Sequence, residues 1–162
     1  VLAFARIRII DSDFYRKIDW PIIVMLAAMI PIGTALQTTG VSSLIATSIS
    51  TYASNLSLFW ILLIILIVTM ITTDIINNAA TAVIMAPIST GIALELGFAI
   101  EPFLMVVAVG ASCAFLTPIG HQCNTVVMGP GNYKFTDYWR MGLPMDILII
   151  LASVPMILFV WT

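Results

Sequence analysis

Two polar segments lie between apolar runs of the chain, and each contains residues able to bind a small ion. Residues 74–81 read DIINNAAT and residues 117–125 read TPIGHQCNT. In each segment an asparagine, Asn78 or Asn124, precedes a run of residues compatible with a helix. Asparagine is a favourable N-cap, and the helix that follows it presents free N–H groups and the positive end of its dipole. The sequence therefore predicts an anion-binding helix start at each asparagine.

The same two segments offer backbone oxygens to a cation. Non-helical backbone at membrane depth persists only where it lines a cavity or is buried in protein. Carbonyl groups near Ile76 and Gly120 could therefore coordinate a small cation such as Na⁺, as in the discontinuous helices of secondary transporters. The first segment has an alternative interpretation as a turn at the membrane surface, because a helix over residues 56–77 would be about 33 Å long. The second is harder to explain in that way, since residues 103–116 supply a helix of only about 21 Å.

His121 and Cys123 form a His-x-Cys pair, which raises the possibility of a metal site. Zinc sites use three or four protein ligands, and the sequence has no second pair of matching spacing. A membrane metalloenzyme that uses His121, Cys123 and Asp74 is the alternative from a different functional class. The sequence contains no HExxH, Walker or GxGxxG motif and no Ser-His-Asp arrangement. We therefore predict that the chain is not an enzyme.

The composition places these segments in a membrane protein. Of the 162 residues, 61% are hydrophobic and 9% are charged, and the mean hydropathy is +1.13. No charged residue lies between Asp19 and Asp74, and none follows Asp146. Soluble domains carry about a quarter charged residues, so this distribution predicts an integral membrane protein in contact with the lipid bilayer. A net charge of −2 gives no electrostatic basis for binding nucleic acid.

The apolar runs define the elements that must position the two polar segments. A bilayer core requires about 20 helical residues to cross it. Judged against that length, the sequence predicts an all-α integral membrane bundle that forms half of an inverted-repeat transporter, with a re-entrant hairpin and a broken helix. The predicted elements are spans over residues 22–37, 41–52, 56–73 and 79–97, a re-entrant tip at 74–81, a short helix at 103–116 broken at 117–124, and a final span at 143–161. Because the chain opens inside an apolar stretch, we interpret it as a fragment of a longer polypeptide.

In these stretches the sequence resembles the divalent anion/sodium symporter family of the ion transporter superfamily, which includes citrate-transporter-like proteins. The resemblance covers nearly the whole chain and corresponds to the C-terminal inverted repeat. It is carried by residues 19–40, 73–87 (TDIINNAATAVIMAP) and 117–144 (TPIGHQCNTVVMGPGNYKFTDYWRMGLP). The last stretch is similar to members that carry TrkA-C-type regulatory domains, which would lie upstream of Val1.

Two family motifs can be matched residue by residue. The hairpin-tip motif Ser-Asn-Thr falls on residues 77–79, where the central Asn78 matches and the flanking positions are Asn and Ala. The loop motif Pro-x-Ala-Thr-Pro-Pro-Asn falls on residues 118–124, where Pro118 and Asn124 match and Gly120 takes the alanine position. In the loop, His, Gln and Cys replace Thr-Pro-Pro, so hydroxyls that would hold an anion are absent from both motifs.

The resemblance implies two sets of ligands. The sodium site would be formed by two side chains and two backbone carbonyls, those of Thr73, Asn78, Ile76 (carbonyl) and Gly120 (carbonyl). The anion would be contacted by four polar side chains, those of Asn77, Asn78, His121 and Asn124. In place of the lost hydroxyls, His121 could donate a hydrogen bond to the anion and make transport sensitive to pH.

The function implied by the resemblance is sodium-coupled symport of a small divalent anion, such as sulfate or a C4-dicarboxylate. Na⁺ would be the coupling ion, and no organic cofactor is expected. The other half of each site would come from the missing N-terminal repeat, and the protein would form a homodimer in the plasma (inner) membrane. A proton-coupled permease, or an arsenite- or citrate-type permease of the same superfamily, remains the alternative.

Overall fold

The computed structural model describes residues 56–161 continuously and isolated positions between residues 24 and 48. The predicted spans 22–37 and 41–52 therefore lie outside the continuous part. Residues 56–161 form five helices, which are α1 (Leu58–Ile75), α2 (Asn78–Leu96), α3 (Ile100–Ser112), α4 (Gln122–Met128) and α5 (Phe135–Trp161). The described part of the chain contains no strand. Helices α1, α2 and α5 are long and apolar enough to cross a membrane, so the predicted all-α membrane class is confirmed.

Helix α1 is apolar around its whole circumference, as expected of a helix that meets both protein and lipid. Trp60, Ile64 and Ile71 are exposed on its outer side. Its inner face carries fully buried side chains at helical spacing, which include Leu66, Thr69 and Thr73. This face positions two hydroxyls inside the bundle, and Thr73 lies in the last turn of the helix, next to the polar tip.

Helices α1 and α2 form a hairpin whose tip contains only two residues between the helices, Ile76 and Asn77. The N-cap of α2 is Asn77, whose side-chain oxygen accepts a hydrogen bond from Ala80 N–H at 2.8 Å. The expectation that Asn78 caps this helix is therefore wrong by one residue. Because Asn77 satisfies the free N–H of the first turn, the side chain of Asn78 is available for contacts outside the hairpin.

Helix α3 packs against both arms of the hairpin. The Ser89 hydroxyl of α2 donates to the Phe103 carbonyl of α3 at 3.1 Å, and both residues are buried. Helix α3 begins and ends earlier than the predicted 103–116, so a non-helical segment of residues 113–121 precedes α4. We call this segment the break.

Helix α5 begins at Phe135, eight residues before the predicted start of the final span at residue 143. The Asp137 carboxylate accepts the backbone N–H of Lys134 at 2.8 Å and so closes the first turn. Further along α5, a Cβ at Gly142 would lie 2.4 Å from the Phe115 carbonyl oxygen. Only glycine permits this approach, which presses α5 directly against the backbone of the break.

Candidate functional site

Four oxygen-bearing groups from four chain segments meet where the hairpin tip touches the break. We call them the oxygen cluster, and they are the Thr73 hydroxyl, the Asn78 side-chain amide, and the carbonyls of Ala111 and Gly120. The Thr73 hydroxyl lies 2.9 Å from the Asn78 amide oxygen and 2.9 Å from the Ala111 carbonyl. The atom of the Asn78 amide that faces the cluster is also 3.2 Å from the carbonyls of Ala111 and Gly120. Thr73 is 0% exposed, so the cluster is closed to solvent on that side.

The hydrogen-bonding capacity of the cluster depends on the orientation of the Asn78 amide. When the Asn78 amide oxygen faces inward, four oxygens share the one hydrogen of the Thr73 hydroxyl. Rotation of the amide by half a turn would let its nitrogen donate to Thr73, Ala111 and Gly120. The cluster therefore requires a positive partner, either the amide N–H groups or a cation, and oxygen is the ligand that hard cations prefer.

Gly120 reaches the cluster because it has no side chain. A Cβ at this position would lie 3.0 Å from Asp74 Cα, 3.0 Å from the Thr73 carbonyl and 2.9 Å from Ala114 Cβ. Two of these neighbours are backbone atoms, which cannot turn aside as the end of a flexible side chain could. Glycine at 120 therefore places the break in direct contact with the last turn of α1.

Asp74 holds the break against the hairpin. Its Oδ1 accepts hydrogen bonds from the backbone N–H groups of Leu116 at 3.1 Å and Thr117 at 3.3 Å. The Asp74 carbonyl accepts the Thr117 hydroxyl at 2.7 Å, and that hydroxyl in turn accepts the Gly120 N–H at 3.1 Å. This network connects the residue after Thr73 to Gly120, so the two halves of the cluster are fixed relative to each other.

Three of the four predicted sodium ligands meet in the cluster. Thr73, Asn78 and Gly120 meet in the cluster, whereas Ile76 is 45% exposed at the C-cap of α1. Within the described residues, hydrogen bonding does not connect Ile76 to the cluster. The Ala111 carbonyl lies there and was missed by the sequence, because a backbone carbonyl has no signal in the identity of its residue.

Asn124 and His121 have roles that differ from those expected. Helix α4 begins at Gln122 and its N-cap is His121, whose Nδ1 accepts the Cys123 N–H at 3.1 Å. Asn124 lies inside the helix, so the expectation that it caps α4 is wrong. Its side chain donates to the carbonyls of Ala114 at 2.8 Å and Thr117 at 3.2 Å. The Asn124 side chain therefore connects α4 to the break by hydrogen bonds.

The predicted anion ligands do not form one hydrogen-bonded group in the described part of the chain. Asn77 caps α2, Asn78 belongs to the oxygen cluster, and Asn124 bonds to the break. His121 is exposed. No group of three or more His, Cys, Asp or Glu side chains with the geometry of a metal site occurs among the described residues.

An all-α chain with helices long and apolar enough to cross a membrane belongs to the class of integral membrane proteins. The family comparison is more specific. Residues 1–110 match the family described as Citrate transporter. The chain belongs to this transporter family, so both the predicted transporter class and the interpretation that the chain is not an enzyme are confirmed.

Similarity to individual proteins extends over most of the chain. It is 37% identical over 150 residues to the uncharacterized transporter sll0640 of Synechocystis, which covers 93% of this chain and 24% of the relative. It is 37% identical over 157 residues to the uncharacterized transporter YfbS of Escherichia coli, covering 96% and 26%. Sodium/sulfate cotransporter 2 of Chlamydomonas reinhardtii is 30% identical over 145 residues, covering 88% and 16%. The chain thus spans about a quarter or less of the length of these relatives.

Proposed function

We propose that this chain is the C-terminal repeat of a sodium-coupled symporter for a small divalent anion, and that the oxygen cluster is its sodium site. The observation that carries the proposal is the convergence of the Thr73 hydroxyl, the Asn78 amide and the Ala111 and Gly120 carbonyls, whose contacts are 2.9–3.2 Å long. Na⁺ would supply the missing positive charge and would replace the hydrogen bonds within the cluster. Its ligands would be Thr73, Asn78 and the carbonyls of Ala111 and Gly120.

The sodium proposal has support from two independent directions. Three of the residues expected from the family resemblance, Thr73, Asn78 and Gly120, lie in the cluster. Two relatives are named as sodium/sulfate cotransporters, one of them a probable one, at 30% and 29% identity. We propose the Ala111 carbonyl as the ligand in place of the Ile76 carbonyl.

Asn78 would also couple the cation to the anion. A side-chain amide carries its oxygen and its nitrogen on opposite sides. Na⁺ would hold the oxygen inward, so the amide nitrogen would face away from the cluster as a hydrogen-bond donor for sulfate or a carboxylate. Sodium would thus have to bind before the anion site is complete, and Asn77, His121 and Asn124 are the further anion ligands that the resemblance implies.

Movement across the membrane would involve the hairpin tip and the break together. The hydrogen bonds of Asp74 to the break make independent motion of the two segments costly. We propose that they move as one body during alternating access, with the matching half-sites contributed by an N-terminal repeat. A homodimer in the plasma membrane is the assembly we expect for the full-length protein.

Uptake into proteoliposomes tests this function. The full-length transporter is reconstituted, and uptake of labelled sulfate and labelled succinate is measured with and without an inward Na⁺ gradient. Asn78→Ala removes the bifunctional amide, and Ser112→Ala is the control, because the exposed Ser112 hydroxyl bonds only to the Ala108 carbonyl of its own helix at 2.8 Å. We expect sodium-dependent uptake of one anion in the wild type and in Ser112→Ala, and its loss in Asn78→Ala.

Other outcomes count against the proposal in different ways. Uptake that follows a proton gradient without Na⁺ would favour the proton-coupled alternative. Sodium-dependent uptake that survives Asn78→Ala would show that the oxygen cluster is not the coupling site.

A further inference from the structure

Asp146 is a buried acid with no role in the cluster just described. It lies on α5, is 7% exposed, and its Oδ1 is buried without a hydrogen-bond partner among the described residues. Asp74 is the other buried acid in the described part of the chain, at 4% exposed, and its Oδ2 is likewise without a partner. Buried polar atoms are almost always paired, so two orphaned carboxyl oxygens call for an explanation.

Asp146 faces the region that Asp74 organises. A Cβ added at Gly142, one helical turn before Asp146, would collide with the Phe115 carbonyl and lie 3.0 Å from Leu116 N. That Leu116 N–H donates to Asp74. Leu116 N thus lies 3.1 Å from Asp74 Oδ1 and 3.0 Å from the position of the Gly142 Cβ, between α5 and Asp74. The α5 face that carries Asp146 therefore packs on the break opposite Asp74.

Among the residues that the structure describes, no basic side chain is buried. The titratable groups that face Asp146 are Asp74 from α1 and the buried Cys113 thiol from the start of the break. The basic side chains among the described residues are Lys134 and Arg140, and both are exposed. Two carboxylates have only acceptor atoms and cannot satisfy each other, and an uncompensated charge inside a membrane protein is expensive.

One proton resolves both difficulties. It removes one negative charge and converts a carboxylate oxygen into a hydroxyl donor. Asp74 already accepts two backbone N–H bonds, which suit a charged carboxylate, whereas Oδ1 of Asp146 has none. We propose that Asp146 is a proton-binding site, occupied in the folded protein and facing Asp74 across the contact between α5 and the break.

Release of this proton would place two negative charges at that contact. The repulsion would push α5 away from the break, which also carries Gly120 of the oxygen cluster. Asp146 thereby becomes a source of pH sensitivity in the transporter that is distinct from the exposed His121. The proton site does not require sodium coupling, so it can be tested separately from the proposed function.

Infrared spectroscopy of the reconstituted full-length protein tests the proposal directly. A protonated carboxyl group has a C=O stretching band that a carboxylate lacks, and D146N removes that group with almost no change in size. The matched control is D137N, which changes a partly exposed acid on the first turn of the same helix. At neutral pH we expect a protonated-carboxyl band that is lost in D146N and retained in D137N. A spectrum in which D146N removes only carboxylate absorption would overturn the proposal.

A transport measurement supplies the second readout. Uptake is compared across acidic, neutral and alkaline pH in the wild type, D146N and D137N. Because asparagine resembles the protonated acid, we expect D146N to transport at neutral pH and to lose the decline at alkaline pH that the wild type and D137N show. A D146N protein that declines with pH as the wild type does would refute Asp146 as the pH-sensing group.

Discussion

Replacement of Thr73 by valine isolates the contribution of one hydroxyl to the oxygen cluster. Valine keeps the branched shape of threonine and removes contacts to the Asn78 amide and the Ala111 carbonyl, both at 2.9 Å. Thr69→Val is the matched control. Thr69 lies one turn earlier on α1, is equally buried, and donates only to the Ile65 carbonyl of its own helix at 2.6 Å.

The expected magnitudes differ between the two variants. Thr69→Val loses one local hydrogen bond, which is worth about 1 kcal/mol. Thr73→Val deprives the cluster of its hydroxyl hydrogen and, in the sodium-bound state, of one ligand. An interaction with a charged group contributes about 1.5–3 kcal/mol, so sodium affinity should fall about 10- to 150-fold.

Sodium-dependent thermal unfolding of the full-length protein measures this effect. A ligand that binds only the folded state raises the melting temperature as its concentration exceeds the dissociation constant. We expect the rise in Thr73→Val to begin at a sodium concentration higher by the factor above, and the rise in Thr69→Val to match the wild type. Equal sodium dependence in the two variants would refute the assignment of the Thr73 hydroxyl as a ligand.

Substitutions at three further positions test the contacts that shape the site. Gly142→Ala should destabilise the protein by about 1–3 kcal/mol, because its Cβ would meet the Phe115 carbonyl at 2.4 Å. The effect is measured as a lower melting temperature. An unchanged melting temperature would contradict the close approach of α5 to the break. Asn77→Ala should cost about 1 kcal/mol of stability through loss of the α2 cap, and Asn77→Ser should recover most of it. Asp74→Ala should weaken sodium binding in the thermal assay and lower the stability by about 3 kcal/mol. Asp74→Asn keeps an acceptor oxygen and should lose less stability. Equal losses in both variants would argue against the hydrogen bonds of Asp74 to the break.

The helical architecture of the described part was predictable because it depends on local composition. Apolar runs interrupted by polar residues fix the approximate positions of α1 and α2, and membrane burial leaves the backbone no alternative to helix formation. Helix ends were less predictable. The stretch before residue 143 looks polar and aromatic, yet α5 starts at Phe135 because the Asp137 carboxylate closes its first turn.

The asparagines show why the site itself could not be worked out from local sequence. Asn77 and Asn78 are equally good caps by residue type, and the choice between them depends on the contacts of Asn78 with Ala111 and Gly120, which are distant in the chain. Asn124 likewise lies within α4 because its amide bonds to two carbonyls of the break. The family resemblance predicted that Thr73, Asn78 and Gly120 share a site. The hydrogen bonds of Asp74 and the carbonyl of Ala111 depend on the three-dimensional arrangement, which the residue pattern does not contain.

The oxygen cluster joins four places along the chain, on α1, α2, α3 and the break. Thr73 is five positions from Asn78 and 38 positions from Ala111. A cation held there would act as a removable cross-link, and the entropy of closing a loop rises only slowly with its length, by about 0.6 kcal/mol for each doubling. Departure of one ion would therefore release the end of α1, the start of α2, the end of α3 and the break at the same time. Amide hydrogen exchange at these four places should accelerate together when sodium is withdrawn, because a single cross-link is removed.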